Sequence, residues 1–487
     1  MPDFRCELSA EATSLKHVWE HTLGSGHATL ALRGDWQAQL RRCHDELGVG
    51  HVRFHGILDD DMGTMITQND QYLYSFFNAD QIWDALLEIG VRPLVELSFM
   101  PWTLASGPKT VFHYGAHVTP PKDYDAWATL IRKLVRHCVE RYGVEEVREW
   151  YFEVWNEPNL TAFWTAEPDD YFNLYRVTAE AIKQVDSGLR VGGPVTAMAA
   201  WVPEFLDFCE QNRVPADFVS THYYPTDAFG QIGADTLTQL AHAPRHVMRD
   251  QARKTQQQAR GRPVLYTEWS ASSNPRDPLH DEPYTAAFVT KTVLEVEPFV
   301  ECYSFWTFTD IFEENYFPSV PFQGGFGLLN IYGIPKPAYR AYQLLHRLGT
   351  ERLPVQGEHE TVDAWVVRKA DSVTVMLTNF AFPRHSIQTE RVHLALVDAP
   401  PPRGAFVERV DADHANATAL WHVMGEPEYL SALQVERLDE ASNLTAESLT
   451  WTYQDGTLRL ELDLPALAVA AVTVEWARGA DTGGKPA

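Results

Sequence analysis

The chain has 487 residues, too many for one ordinary hydrophobic core, and carries 40 Lys and Arg against 66 Asp and Glu, a net charge of −26. A surface this acidic repels phosphate backbones and anionic lipid. Nucleic acid and membranes are therefore not expected partners, and neutral ligands are favoured.

Residues 1–15 are too polar for a buried strand and are expected to join a β sheet elsewhere. From residue 16 to 348, short β-branched or apolar runs alternate with longer amphipathic stretches, the pattern of βα units around a parallel sheet. In chain order, strands are predicted near Val18 to Leu23, then at His51 to Ile57, Arg92 to Phe99, Trp150 to Asn156, Arg190 to Val195, Phe218 to Tyr224, Val264 to Trp269 and Cys302 to Phe308. Helical patterns lie between them, such as Asp35 to Leu47, Asp80 to Ile89, Tyr124 to Tyr142, Asp169 to Val185 and Tyr284 to Glu295. Eight such pairs predict a (β/α)₈ TIM barrel, an α/β fold whose active face is built at the C-terminal ends of its strands.

After Leu348 the texture changes to short alternating segments, Val362 to Lys369, Ser372 to Asn379, Arg391 to Val397 and Thr457 to Leu462, separated by Pro, Gly, Asp and Asn. Residues 349–477 thus read as a C-terminal all-β sandwich. The polar, Gly- and Pro-containing residues 478–487 read as a disordered tail. Five scattered cysteines, Cys6, Cys43, Cys138, Cys209 and Cys302, odd in number and without CxxC spacing, fit small core residues in a reducing compartment. With neither a basic segment leading into an apolar stretch at the start nor any run of about 18 apolar residues, a soluble cytoplasmic protein is expected. The sequons at Asn159, Asn416 and Asn443 then read as chance matches.

Two carboxyls stand out by position. Glu157 follows the apolar run from Trp150 in Trp-Tyr-Phe-Glu-Val-Trp-Asn-Glu-Pro, and Glu268 ends Pro263-Val-Leu-Tyr-Thr-Glu-Trp. They are 268 − 157 = 111 residues apart with three strand and helix units between them. That is about 37 residues per unit, close to the roughly 30 or more of a βαβ element. Both therefore fall at strand ends on one face and share a pocket. A pair of glutamates among many aromatic side chains points to sugar cleavage, with one acid protonating the leaving oxygen while the other attacks. In Thr221-His222-Tyr223-Tyr224-Pro225, alternate residues share a strand face, so His222 and Tyr224 can point together into that pocket.

With Gly24-Ser-Gly, Arg53-Phe-His-Gly-Ile-Leu-Asp-Asp-Asp-Met, Val154-Trp-Asn-Glu-Pro-Asn, Thr221-His-Tyr-Tyr-Pro, Tyr266-Thr-Glu-Trp and Ser304-Phe-Trp-Thr-Phe-Thr-Asp-Ile-Phe-Glu-Glu, residues 15–348 resemble glycoside hydrolase family 39. This family of clan A barrels includes β-xylosidases and α-L-iduronidases. The resemblance implies Glu157 as general acid/base at the end of the fourth strand and Glu268 as nucleophile at the end of the seventh, in a retaining mechanism. It implies that Arg53 hydrogen-bonds the nucleophile and that Asn156 donates to the sugar 2-hydroxyl. It also implies Tyr224 as a donor to Glu268, His222 and His55 beside the sugar, Trp306 as its aromatic floor, and Glu313 and Glu314 as a pair gripping its far hydroxyls. The competing readings are structural. Asn156 could cap the turn before Pro158, Arg53 could serve an ion pair, His55 and His222 could be core groups, and Glu313 and Glu314 solvated loop charges.

No metal or nucleotide cofactor is expected. Asp59-Asp60-Asp61 lacks the Gly and distant Glu of a calcium loop, and Gly324-Gly325 lacks the strand and helix that frame a phosphate cradle. Within the family, the acidic chain and the acidic Glu313-Glu314 pair favour a neutral pentose over a uronate. The expected activity is exo-acting release of xylose from xylobiose and longer xylo-oligosaccharides, with an α-L-arabinopyranosidase side activity as an option. The rivals are an α-L-iduronidase, another clan A glycosidase such as an endoglucanase, and a barrel that binds carbohydrate without cleaving it. Oligomeric state is left open.

Overall fold

The computed structural model describes residues 2–226, 235–314 and 317–477. Eight parallel strands close into a barrel: β1 (Thr22–His27), β2 (His51–His55), β3 (Arg92–Leu97), β4 (Tyr151–Val154), β5 (Arg190–Thr196), β6 (Phe218–His222), β7 (Val264–Trp269) and β8 (Cys302–Phe305). Helices pack around it, among them Gly34–Leu47, Phe77–Ile89, Tyr124–Tyr142, Pro168–Val185 and Pro283–Val296. This is the expected TIM barrel, and apart from β1 the strand and helix bounds differ from the sequence reading by no more than three residues.

The helix Tyr124–Tyr142 shows why the pattern is readable. The Asp123 carboxylate caps its start by accepting from the backbone N–H of Asp125 and Ala126, and Gly143 ends it at φ 87°. Between the caps, Trp127, Leu130, Ile131, Leu134, Val135 and Cys138 recur at helical spacing and are buried. The helix Pro283–Val296, in contrast, is buried on nearly every side. Its outer face is covered by Phe380 of the β region, whose ring lies 5.4 Å from that of Tyr284 and 5.7 Å from that of Phe288.

The first strand was displaced in the sequence reading, which favoured Val18 to Leu23. Val18 and Trp19 are indeed buried, but they precede the strand, whose own sequence Thr-Leu-Gly-Ser-Gly-His has no β-branched run to mark it. The glycines are needed for close packing. A Cβ at Gly24 would stand 2.6 Å from Cε3 of Trp306, and one at Gly26 would stand 2.9 Å from the Phe312 ring.

Beyond the barrel, two sheets face one another. One runs Val355–Gln356, Asp3–Glu7, Glu390–Val397, Thr457–Leu464 and Trp451–Gln454; the other includes Thr13–Ser14, Glu351–Leu353, Val362–Arg368, Ser372–Asn379, Ala468–Trp476 and Pro402–Val410. Asp3–Glu7 pairs in parallel with Glu390–Val397, placing Phe4 beside Leu394 and Cys6 beside Leu396. Between the sheets Phe4, Cys6, Val366, Val375, Leu394, Leu460 and Val472 form one buried cluster. Two helices, Ala417–Val423 and Ala432–Ala441, interrupt the β texture and pack on the barrel loops through Trp421, Leu438, Phe322 and Ile334. The second starts at the reciprocal cap Ser431-Ala-Leu-Gln434, in which each side chain bonds the other's backbone, and the first at Asn416, whose side chain accepts from the Ala419 N–H. All five cysteines are buried and free. Among the described residues no helix is long and apolar enough to cross a membrane. The tail expected at 478–487 lies outside the described residues.

Candidate active site

At the end of β4 the chain turns sharply. Trp155 and Glu157 both adopt left-handed backbone, at φ 76° and 43°, and the Glu157 N–H donates to the Val195 carbonyl at 2.8 Å. Side chains other than glycine seldom occupy this region, and such strain tends to persist where it aims a working group. The Trp155 indole N–H, bonded to the Phe163 carbonyl at 2.8 Å, secures the turn from behind.

Arg53, on β2 and wholly buried, organises the strand ends. Its guanidinium donates to Glu153 Oε2 at 2.6 Å, to Glu268 Oε1 at 2.7 Å and to Asn156 Oδ1 at 3.0 Å, and it lies 2.6 Å from Glu96 Oε2. Taking the Asn156 carbonyl orients that amide and leaves its NH₂ as the free donor. Glu96 also meets His55 Nδ1 at 2.8 Å and accepts from the Ser98 hydroxyl. Glu96 and Glu153 were not anticipated from the sequence. They sit inside apolar strand runs, where nothing separates an inward acid from an outward one.

The two anticipated carboxyls come together. Glu157, His222 and Glu268 bring one ligand-bearing atom each within 4.8 Å of one another. Glu268 Oε2 accepts from the Tyr224 hydroxyl at 3.0 Å, and His222 Nδ1 lies 2.9 Å from Glu157 Oε1. Their environments differ. Burial and then the nearby Glu268 carboxylate hold Glu157 well above the usual carboxyl range. Burial raises Glu268 too, but Arg53 and His55 oppose it and the carboxyl stands at about 6. His55 itself is raised to about 10, because Glu96 and Glu314 outweigh its burial. Burial, reinforced by Arg53 and His55, keeps His222 neutral.

These groups line a cavity of about 540 Å³ with Phe112, Leu160, Phe163, Phe326 and Trp306 among its walls. The Trp306 ring lies 4.9 Å from that of His55 and meets Phe312 edge-on at 6.0 Å. An aromatic face of this kind suits the C–H side of a pyranose. Glu314 is held by His113, whose backbone N–H donates to the Glu314 carbonyl at 2.9 Å. Its buried Oε1 lies 3.5 Å from His55 Nε2, where the carboxylate faces the imidazolium. Glu313 is not brought into this wall. Its carboxylate pairs with Arg33 at 3.3 Å, because adjacent residues of this loop point apart. His55, Asn156, Glu157, Tyr224, Glu268, Trp306 and Glu314 therefore share the cavity, with Arg53 and His222 packed directly behind.

Among the described residues two side-chain triads have the donors for a cation, this one and His27–Asp59–Asp61. In the first, both Glu268 oxygens already accept hydrogen bonds and Glu157 is held protonated, a set suited to proton chemistry. In the second, Asp59 and Asp61 overcome burial and raise His27 to about 9, so an imidazolium balances the carboxylates.

A family model of the glycosyl hydrolases family 39 matches residues 5–459. The chain belongs to glycoside hydrolase family 39. A "Beta-xylosidase" of Caldicellulosiruptor saccharolyticus is 48% identical over 467 residues, covering 95% of this chain and 96% of that one. A "Beta-xylosidase" of Geobacillus stearothermophilus is 37% identical over 480 residues, covering 95% and 94%. In structure, the GH39 β-xylosidase from Caulobacter crescentus superposes with a TM-score of 0.81 at 34% identity, covering 98% of this chain and 100% of that one. As a member of the family the protein is a glycoside hydrolase, and its closed barrel with added sheets is the fold of these enzymes.

The floor of the cavity can be tested on its own. Because β1 lies against Trp306, Gly24→Ala must push the ring or the strand, and overpacking of this kind costs roughly 1–3 kcal/mol. Urea unfolding is expected to register that loss. KM for an aryl glycoside should rise more than kcat falls, since the Trp306 ring in the cavity wall moves while the carboxyls stay.

Proposed function

We propose that the protein is a retaining, exo-acting β-D-xylosidase that releases xylose from xylobiose and longer xylo-oligosaccharides. The observation that carries the reading is the pair Glu157 and Glu268, with oxygens within 4.8 Å and unequal electrostatic surroundings, Glu157 raised well above the usual carboxyl range and Glu268 to about 6. Retaining enzymes hold their two carboxyls at about 5–5.5 Å, whereas inverting enzymes need roughly 6.5–9.5 Å to admit a water. Glu157, kept protonated, gives its proton to the leaving oxygen. Glu268, kept ionised by Arg53 and His55, attacks the anomeric carbon and forms a glycosyl ester. Water activated by Glu157 then cleaves that ester. The Asn156 NH₂ meets the 2-hydroxyl, Trp306 supports the ring, and His55 and Glu314 take the far hydroxyls. Glu313, tied to Arg33, is left out of the sugar contacts.

A neutral pentose fits better than a uronate. Among the described residues lining the cavity none is Lys or Arg, while Glu314 would repel a carboxylate. The volume lies within the roughly 300–1,000 Å³ of small-ligand pockets and favours end-on binding of short chains. The full-length relatives named β-xylosidase support the same glycone. Five buried free thiols fit a reducing cytoplasm, where short imported oligosaccharides would be the substrate.

Proton NMR during turnover of an aryl β-D-xyloside tests the mechanism. β-Xylose is expected to appear first and to mutarotate afterwards, whereas early α-xylose would overturn double displacement. In a panel of aryl glycosides, the β-D-xyloside should give the highest kcat/KM, above the α-L-iduronide and the β-D-glucoside.

A further inference from the structure

Strand β7 carries an irregularity beside Glu268. Its register with β6 pairs Thr221 with Tyr266 and then His222 with Glu268, so Thr267 is an extra residue on β7. Strict alternation would turn Thr267 away from Glu268, but the bulge lets both side chains face the interior. Thr267 is fully buried there. Its hydroxyl donates to Glu153 Oε1 at 2.7 Å and lies 3.2 Å from His222 Nε2, and His222 Nδ1 in turn lies 2.9 Å from Glu157 Oε1.

We infer that Thr267, anchored by Glu153, is a positioning residue that fixes the tautomer of His222 and so keeps the proton on Glu157. The inference rests on Glu157 being the acid/base of the proposed reaction. It follows from counting donors along the chain. Glu153 receives Arg53 on Oε2 at 2.6 Å and Thr267 on Oε1, and both oxygens act as acceptors. Burial, with Glu96 beside it, pushes this carboxyl up, while the guanidinium against Oε2 and the hydroxyl on Oε1 favour its charged form. A threonine hydroxyl has one proton, so once it is given to Glu153 the oxygen can face His222 Nε2 only as an acceptor. Nε2 therefore carries the ring proton. The buried ring is neutral, so Nδ1 is bare, and a bare Nδ1 at 2.9 Å from Glu157 requires Glu157 to be the donor.

The same chain serves both halves of the reaction. Glu157 passes its proton to the departing alcohol as the bond from the sugar to Glu268 forms, leaving a carboxylate that faces the Nδ1 lone pair. That contact is repulsive, so Glu157 is poised to take a proton from water. The water oxygen bonds the anomeric carbon, the ester bond to Glu268 breaks, and the Glu157–His222 hydrogen bond is restored. The charges around Glu157 make the tautomer matter. His222 faces it from β6, Glu268 from β7, Arg53 and His55 from β2, and Glu314 from the loop after β8. Arg53 and His55 favour its ionised form, Glu268 and Glu314 the neutral one. His222 is also 3.6 Å from Glu268 Oε2.

Thr267→Val removes the acceptor while keeping the side-chain shape. The stranded Nε2–H then favours the other tautomer, whose Nδ1–H donates to Glu157 and stabilises its carboxylate. The alkaline limb of kcat/KM for xylobiose is expected to move down by about one pH unit, about a tenfold loss on that side. Dinitrophenyl xyloside, whose leaving group needs no proton, should be cleaved at close to the parental rate, and Thr267→Ser should restore the limb. A merely structural threonine would slow both substrates alike at every pH and leave the limb in place, and that result would overturn the inference. ¹⁵N NMR of histidine-labelled wild-type protein, with His222 assigned by its loss in His222→Gln, needs no folded Thr267 variant. It should find the proton on Nε2, and a proton on Nδ1 would refute the chain. If Glu157→Ala slows the first turnover of good and poor leaving groups equally, the acid/base reading itself is wrong, an outcome distinct from either failure of the chain.

Discussion

Glu268→Ala is expected to lose turnover of aryl and natural xylosides alike, by about 10⁴-fold or more, the scale seen when a covalent nucleophile is removed. The loss should not arise from unfolding. Arg53 keeps Glu96 and Glu153 as partners at 2.6 Å, so no buried cation is stranded by the substitution, and the thermal midpoint should stay near that of the parent. A 2-deoxy-2-fluoro-xyloside slows the second step more than the first, so it should leave its sugar on the Tyr266-Thr267-Glu268-Trp269 segment of the parent and on nothing in the variant. The rate of labelling should rise with pH through about 6, as Glu268 ionises, and then level off. Label recovered on Glu157 or Glu314 would reverse the division of roles.

The site was legible wherever chemistry coincided with the end of an apolar run. Glu157 and Glu268 terminate such runs, and the spacing between them is that of whole βα units, so their common face could be read before any contact was known. Arg53, His55, Asn156, Tyr224 and Trp306 came with the family resemblance, and the structure gathers them around those carboxyls. What was not legible depends on backbone detail that leaves no compositional trace. Glu96 and Glu153 read as ordinary strand residues until Arg53 is seen between them. Thr267 shares the inward face of Leu265 by simple alternation, but that count would turn Glu268 outward, and only the bulge brings both to the interior. Glu313 and Glu314 are identical in type and adjacent in sequence, yet Arg33 holds the first while His113 sets the second in the cavity.

The fold divides in the same way. Long periodic helices with side-chain or glycine caps were placed correctly because propensity, period and capping agree. The strand β1 was displaced because its glycines answer to Trp306 and Phe312, residues more than 270 positions away that the local sequence does not reveal. The helices Ala417–Val423 and Ala432–Ala441 were passed over because short helices among strands are carried by tertiary packing more than by propensity.

Glu157→Ala separates proton donation from nucleophilic attack. With Glu268 and its partners Arg53 and Tyr224 intact, formation of the glycosyl ester should proceed for any leaving group that departs without a proton. Dinitrophenyl xyloside should therefore show a rapid first turnover and then stall, because the base that activates water is missing. Xylobiose, whose departing alkoxide needs the proton, should lose about 10²–10⁴-fold, the usual contribution of general acid catalysis. Azide should release the stalled enzyme, since it needs no deprotonation and fits where the carboxyl was cut back, and the product should be β-xylosyl azide. An α-azide would mean that no glycosyl ester lies on the path, and equal slowing of the first turnover of both substrates would mean that another group donates the proton. The effect on the wild-type pH profile follows from the same assignment. Because burial and Glu268 hold the Glu157 carboxyl well above its ordinary range, the alkaline limb for xylobiose belongs to this residue, and in Glu157→Ala that limb should be absent.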